Sequence, residues 1–188
     1  MGLWDSYVHQ TLTAQWAGEA RGYDPTRKFK TQLKRSLTSA VGAADNGIDS
    51  GDTSSMPPPL GASNYGWHFG TSHYGDKKDP VDPNEADPRN AHISAENALA
   101  VASAKRNDCA GAAQHLGRAL HPEQDKTAHT TSHHAATPAD HVYASMFWKD
   151  PDKWKNWPAD QAPTQNATVS AISTFLSIPC NPCAEKAQ

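Results

Sequence analysis

The stretch LGRALHPEQDKTAH, residues 116–129, contains three side chains that could bind metal ions. His121, Asp125 and His129 are each four residues from the next, and on a helix this spacing stacks them on one face. A helix rises about 1.5 Å per residue, so the two histidines would lie about 12 Å apart along the axis. That distance is too long for one ion. The spacing therefore predicts two or more ions, with Asp125 between them as a bridge.

The composition sets limits on the class of protein. A length of 188 residues predicts one domain, residues 1–188, with enough chain for a hydrophobic core. The formal net charge of -3 is not that of a basic nucleic-acid-binding protein, so phosphate binding would depend on metal ions rather than on lysines. No apolar run approaches the roughly 18 residues of a membrane span, and we expect no signal peptide.

Apolar residues at helical spacing predict an all-α, single-domain helical bundle. The predicted helices cover residues 4–21, 25–42, 94–106, 138–148 and 165–178, with another that opens near Asp108 and carries the 116–129 stretch. Asp24 and Ser94 are predicted helix N-caps. Pro122 lies inside its helix and is expected to kink it beside His121.

A long segment, residues 45–89, separates the second and third predicted helices and is rich in glycine, proline, serine and aspartate. Loops above about 15 residues are usually functional or disordered, and the aromatic residues in this one argue against disorder. Trp67 and Phe69 would anchor the segment while His68 points elsewhere. We therefore predict a loop whose candidate ligands are Asp45, Asp49, Asp52, His68 and His73.

Histidine and aspartate ligands without a central cysteine fit zinc. Two or three such ions could activate water and neutralise a phosphate diester. The chain has no Gly-x-Ser-x-Gly nucleophile elbow, no glycine-rich phosphate loop with lysine and no His-Glu-x-x-His helix. These residues predict a metal-dependent phosphodiester hydrolase. A non-catalytic metal-binding module is the alternative from another class.

The three cysteines leave the covalent organisation open. Cys109 could form a disulfide with either Cys180 or Cys183. Cys180-x-x-Cys183 is also a weak zinc or redox pattern, because no second cysteine pair accompanies it. Residues 179–188 are expected to form a tail after the last helix.

The order of the candidate ligands resembles that of zinc-dependent phospholipase C and its relatives, the zinc single-strand nucleases. The resemblance extends from Trp4 to about His141, and its most specific part is Leu-Gly-x-Ala-Leu-His-x-x-x-Asp in the 116–129 stretch. Proteins of this family are all-helical and hold a trinuclear zinc cluster. The resemblance thus implies two or three Zn²⁺ ions and hydrolysis of a phospholipid or, alternatively, of nucleic acid.

Carried over residue by residue, the resemblance implies these zinc ligands: His9 on the first helix, Asp45 or Asp49 on the loop, then His68, His121, Asp125, His129 and His141. The loop aspartate would also assist the attacking water, and Asp125 would be the bridge. His121 would face His68, and His129 would face His141. The family has a glutamate four residues after the last histidine. Ser145 stands there in this chain, so Asp140 or His134 would substitute.

The first residues carry a second resemblance. In the phospholipase C family the mature chain begins with a tryptophan whose amino group and carbonyl bind zinc, whereas here Trp4 follows Leu3. Gly-Leu-Trp is similar to the junction where rearrangement-hotspot (Rhs) polymorphic toxins pass from an Asp-Pro-x-Gly-Leu cleavage sequence into the toxin domain. Cleavage after Leu3 would free the Trp4 amine as a ligand. This resemblance implies a domain carried by a parent toxin-delivery shell, delivered by a bacterial secretion system and neutralised by a cognate immunity protein.

Overall fold

The computed structural model of the chain describes residues 7–50, 65–70, 86–129, 137–147 and 153–188. Its helical elements are a π-helical turn Tyr7–Leu12, α1 Thr13–Glu19, α2 Arg35–Ser50, α3 Tyr65–His68, α4 Arg89–Lys105, α5 Cys109–Ala128, α6 Pro138–Phe147, a 3-10 turn Trp154–Asn156 and α7 Pro158–Leu176. Strands β1 Gly22–Asp24, β2 Phe29–Leu33 and β3 Ala184–Lys186 form an antiparallel sheet in the order β1-β2-β3. The chain is mainly helical, as predicted, but it is not purely all-α. Among the described helices, none is both long enough and apolar enough to cross a membrane.

Helix α5 is central to the fold, because α2, α4 and α7 all pack against it. Leu116 and Leu120 are buried with apolar residues of α7 in the main hydrophobic core. His121 and Asp125 are also fully buried, on a face that meets α2 and α3. The helix continues through Pro122 to Ala128, so it carries the 116–129 stretch as predicted, and only His129 lies beyond its end as the C-cap.

The predicted helix over residues 25–42 is wrong in its first half. Residues 29–33 form β2, in which Thr31 and Leu33 are buried, Gln32 between them is half-buried and Lys30 is exposed. β2 pairs with β3, where Thr31 lies opposite Lys186. That partner is distant in sequence, so local spacing could not reveal it. The predicted tail at residues 179–188 therefore includes a strand of the sheet.

Three predicted helix starts also differ. Helix α4 begins at Arg89, so Ser94 lies inside it and is not its N-cap. Helix α7 begins at Pro158 rather than at residue 165, with the proline in the first turn, where its missing N–H costs no intrahelical bond. Asp24 caps no helix, and its carboxylate instead accepts hydrogen bonds from the amides of Thr26, Arg27 and Cys180.

The predicted 45–89 loop begins too early. Helix α2 extends to Ser50, so Asp45 and Asp49 are helical residues rather than loop residues. Helix α3 lies within the segment and carries His68, and Trp67 and Phe69 are buried as the predicted anchors. The candidates Asp52 and His73 lie outside the described residues.

A disulfide joins Cys109 in the first turn of α5 to Cys183, with the two Cα atoms 5.2 Å apart. Cys183 directly precedes β3, whose Ala184 pairs with Leu33 of β2. The bond therefore fastens the sheet to the central helix. Cys180 is an exposed free thiol, so the structure selects between the two pairings that the sequence left open.

Breaking this disulfide should destabilise the protein, and Cys180 offers a matched control. For Cys109→Ser and Cys183→Ser we expect the free energy of unfolding to fall by about 2 to 4 kcal/mol, because the unfolded chain regains the entropy of an open loop. Urea unfolding monitored by circular dichroism measures the change. Cys180→Ser should stay within about 0.5 kcal/mol of wild type, as expected at an exposed position. Equal losses in all three variants would contradict the assigned pairing.

Candidate metal centre

Six potential metal ligands from four elements meet in one buried site, which we call the His/Asp cluster. The π-helical turn supplies His9, α2 supplies Asp45 and Asp49, α3 supplies His68, and α5 supplies His121 and Asp125. Five of these side chains are completely buried, and the sixth, Asp49, has a side chain that is 15% exposed. π-Helical turns are rare and occur frequently at functional sites, which fits the position of His9.

The imidazole ring of His121 is the centre of the cluster. Its Nδ1 lies 3.2 Å from Asp45 Oδ1. Its Nε2 lies 3.3 Å from Asp125 Oδ2 and 3.6 Å from Asp49 Oδ1. Nδ1 therefore faces Asp45, and Nε2 faces Asp125 and Asp49. All three carboxylates are close enough to interact directly with the charge of this one ring.

The other two histidines extend the cluster on either side of His121. His9 Nδ1 lies 2.9 Å from Asp45 Oδ1, and His68 Nδ1 lies 3.0 Å from Asp125 Oδ2. His121 Nε2 also lies 3.1 Å from His68 Nδ1, so these two residues face each other, as the resemblance implied. The potential ligand atoms form two groups, His9 with Asp45 and His121, and Asp49 with His68 and His121, each within 4.8 Å. The arrangement could hold two neighbouring metal ions.

The electrostatics of the cluster are those of a site that needs positive charge. Burial alone would lower the pKa of His121, but the carboxylates of Asp125 and Asp49 outweigh burial and raise that pKa well above its ordinary value. Burial alone would raise the pKa of Asp125, but His121 and His129 hold it well below the usual range. For Asp49, burial prevails and, helped by the Asp125 carboxylate, raises the pKa. The charge that a proton on His121 provides is the charge that a metal ion could supply instead.

Buried polar atoms in the cluster also have unused bonding capacity. Within the described ranges, His9 Nε2, Asp49 Oδ1 and Asp125 Oδ1 are buried without a hydrogen bond. Such atoms are uncommon and costly, unless an ion or water completes their bonding. Imidazole nitrogens and carboxylate oxygens are donors that bind zinc and other divalent metals. The residues therefore fit a metal ion.

Two glycines allow the ligand-bearing helices to approach closely. A methyl group at Gly117 of α5 would overlap the carbonyl oxygen of Val41 and lie 2.8 Å from Ala44 Cβ, both on α2. A methyl group at Gly42 of α2 would overlap the carbonyl oxygen of Gln10, next to His9. Helix α2 is thus held between the π-helical turn and α5 at distances that larger residues would prevent. These contacts bring Asp45 against both of its histidines.

A buried chain of hydrogen bonds supports Asp45 from behind. Thr13 Oγ1 donates to Asp45 Oδ2 at 2.7 Å and accepts from Gln124 Nε2 at 2.8 Å. Gln124 Nε2 also donates to Thr168 of α7 at 3.2 Å. Since such partners fix the orientation of ligating side chains, this chain ties one carboxylate to α1, α5 and α7. Sequence reasoning missed these residues, and the only local signal was Thr13, four positions after His9.

The remaining predicted ligands lie outside the His/Asp cluster or outside the described residues. His129 is buried, and its Nε2 lies 3.9 Å from Asp125 Oδ2; like Asp125, it belongs to neither group of three. His141 lies on α6, whose bounds agree with the predicted helix, but its side chain is outside the described residues. Trp4 and His134 also lie outside them. Asp140 exchanges hydrogen bonds with Thr137 at the start of α6, which makes it a helix-capping residue.

Two of the ten histidines in the sequence, His92 and His115, pack outside the cluster. His92 stacks on Trp67 with ring centroids 4.0 Å apart, and Arg118 lies over the same indole at 5.2 Å. His115 Nδ1 lies 2.7 Å from a carboxylate oxygen of Glu96. The Trp67 contacts dock α3 against α4 and α5, and the His115 contact joins α5 to α4, so the two histidines contribute to packing.

Comparison of the chain with protein-family models, with curated proteins and with solved structures finds no match in any of the three. The chemistry of the His/Asp cluster is therefore the basis for a functional hypothesis.

The close contact at Gly117 can be tested against a second glycine. Gly117→Ala should lower the free energy of unfolding by about 1 to 3 kcal/mol, because the added methyl group forces α5 away from α2. The matched control is Gly47→Ala on the exposed side of α2, where among the described residues no atom lies within 4 Å of the added methyl group. That variant should gain up to about 1 kcal/mol from the helix preference of alanine. Urea unfolding measures both, and equal effects would show that the helices are not in close contact.

Proposed function

We propose that this protein is a zinc-dependent phosphodiester hydrolase, similar to phospholipase C, that acts as the toxin domain of an Rhs polymorphic toxin. The observation that carries the proposal is the His/Asp cluster, in which imidazoles and carboxylates from four elements converge in one buried site. Its members include most of the ligands that the family resemblance implies, namely His9, Asp45, His68, His121 and Asp125.

The orientation of Asp125 supports a site with more than one ion. Its Oδ2 faces His68 and His121 at 3.0 and 3.3 Å, while its Oδ1 faces His9 Nε2 at 3.7 Å. A carboxylate whose two oxygens face different histidines is placed as a bridging ligand would be. His121 belongs to both groups of three and would therefore be a candidate ligand of either ion.

The aspartates on α2 would have different roles. Zinc ions held by these residues would lower the pKa of a bound water and neutralise the charge of a phosphate diester. Asp49, with its 15% exposed side chain, is the member of the cluster that solvent reaches, so we assign it to accept the proton of the attacking water. Asp45 is completely buried and is held by His9, His121 and Thr13, so it positions the histidines.

We favour phospholipid over nucleic acid as the substrate. Nucleases depend on lysine and arginine for affinity to the phosphate backbone, and the net charge of -3 provides little of this attraction. As a toxin domain, the protein would be carried by a parent delivery shell, delivered into a target cell by a bacterial secretion system and neutralised by a cognate immunity protein.

A non-catalytic metal-binding module is the second candidate. The complete burial of five cluster side chains favours it, because structural sites use every coordination position for protein ligands. The exposure of Asp49 favours the catalytic site, since substrate and water need one open approach.

Asp125→Asn tests the metal centre, with Asp108→Asn as the matched control on the same helix. We expect wild-type protein to bind more than one zinc ion per chain by elemental analysis. Asp125→Asn should lose bound zinc and about 100-fold or more in hydrolytic rate, because it removes the charge of the bridging ligand. Asp108 caps α5 by accepting from the Gly111 amide, and asparagine caps equally well, so the control should bind zinc normally. Wild-type protein without bound zinc after zinc loading would contradict the metal centre.

The substrate class is decided by two parallel incubations of the zinc-loaded protein. We expect release of diacylglycerol from phosphatidylcholine vesicles and no cleavage of single-stranded DNA. Oligonucleotide release would instead support a nuclease with the same cluster. Bound zinc with neither activity would support the non-catalytic module.

A further inference from the structure

Arg89, the first residue of α4, carries a buried guanidinium close to the His/Asp cluster. The residue is 6% exposed. Asp87 balances its charge, with Arg89 Nε donating to Asp87 Oδ1 at 2.9 Å and Arg89 Nη2 donating to Asp87 Oδ2 at 2.8 Å. This paired geometry fixes the plane of the guanidinium.

The remaining nitrogen of Arg89 joins the main chains of two cluster residues. Nη1 donates to the carbonyl oxygen of His68 at 3.3 Å and to that of Asp125 at 3.1 Å. His68 lies on the short helix α3, and Asp125 lies on α5. Their side chains meet at 3.0 Å on the cluster side. Arg89 thus links the main chains of His68 and Asp125, whose side chains contact each other within the cluster.

We propose that Arg89 is a positioning residue of the metal centre, which holds His68 and Asp125 in register as a pair of ligands. The inference rests on the proposed metal binding. Arginine suits this role because its planar fork can bind a carboxylate on two donors and keep a third nitrogen for the carbonyls. Lysine has a single ammonium group, which cannot reproduce that geometry.

Helix α3 has a second attachment that does not involve Arg89. Trp67 of α3 contacts both His92 of α4 and Arg118 of α5, and Arg118 Nε donates to Glu96 at 3.0 Å. Removing the Arg89 side chain should therefore leave α3 docked. What is lost is the alignment of the His68 backbone with the Asp125 backbone, which affects metal affinity more than folding.

The test compares Arg89→Met and Arg89→Lys with Arg106→Met. Arg106 is exposed at the C-terminal end of the same helix, where its guanidinium donates a hydrogen bond to the Ser103 hydroxyl at 3.2 Å, so its substitution controls for loss of an arginine. Three quantities are measured: the Tm of metal-free protein, zinc affinity by competition with a chelator, and the visible spectrum of the cobalt-loaded protein. The cobalt spectrum reports the ligands and geometry around the ion, independently of activity.

For Arg89→Met we expect zinc affinity to fall by about 10- to 100-fold, as for other residues that orient ligands, together with a changed cobalt spectrum. Arg89→Lys should fall between Arg89→Met and wild type, and Arg106→Met should match wild type. A lower Tm with unchanged affinity and spectrum would show a purely structural role and overturn the proposal. If Arg89→Met does not fold, unchanged affinity and spectrum in Arg89→Lys would overturn it. Absence of metal from wild-type protein would instead overturn the proposed metal centre itself.

Discussion

Three carboxylates around one buried imidazole set the main physical constraint on this protein. Asp45, Asp49 and Asp125 each lie within 3.6 Å of a nitrogen of His121. Carboxylates removed from water repel one another and are costly unless positive charge accompanies them. Protons on His121 and His9, whose pKa values are raised, are one source of this positive charge. A divalent metal ion is another, and it would also use the buried atoms that lack hydrogen bonds.

The rest of the fold keeps these charges together. The glycines at positions 42 and 117 let α2 lie against the π-helical turn and α5, and the Thr13 to Gln124 hydrogen bonds hold the far side of Asp45. Leu116 and Leu120 of α5 belong to the apolar core with α7, which supplies hydrophobic stabilisation that offsets a polar interior. The disulfide between Cys109 and Cys183 fastens the sheet to the first turn of the same helix. One helix therefore joins the core, the covalent link and the cluster.

Sequence spacing predicted those parts of the site that depend on a single element. His121 and Asp125 lie on one face of α5, and Trp67 and Phe69 anchor the segment that delivers His68. Sequence spacing gave the wrong element where the same residues fit both a helical and a strand pattern. Phe29 and Leu33 fit a helix at four-residue spacing and a strand at two-residue spacing, and pairing with β3 decides for the strand. Likewise, polar composition suggested a loop from residue 45, whereas α2 continues to Ser50 because it packs between its neighbours.

The sequence by itself determined the types of the candidate ligands and the helical face of the 116–129 stretch, and the family resemblance added the prediction that His68 would meet that face. Only the tertiary structure decided that Asp45 is buried while Asp49 reaches solvent, that Cys183 is the partner of Cys109, and that Arg89 joins the backbones of two candidate ligands. The reason is physical. Spacing along one helix follows from local backbone geometry, but the distance between helices depends on side-chain volume and hydrogen bonds contributed by residues far apart in the chain.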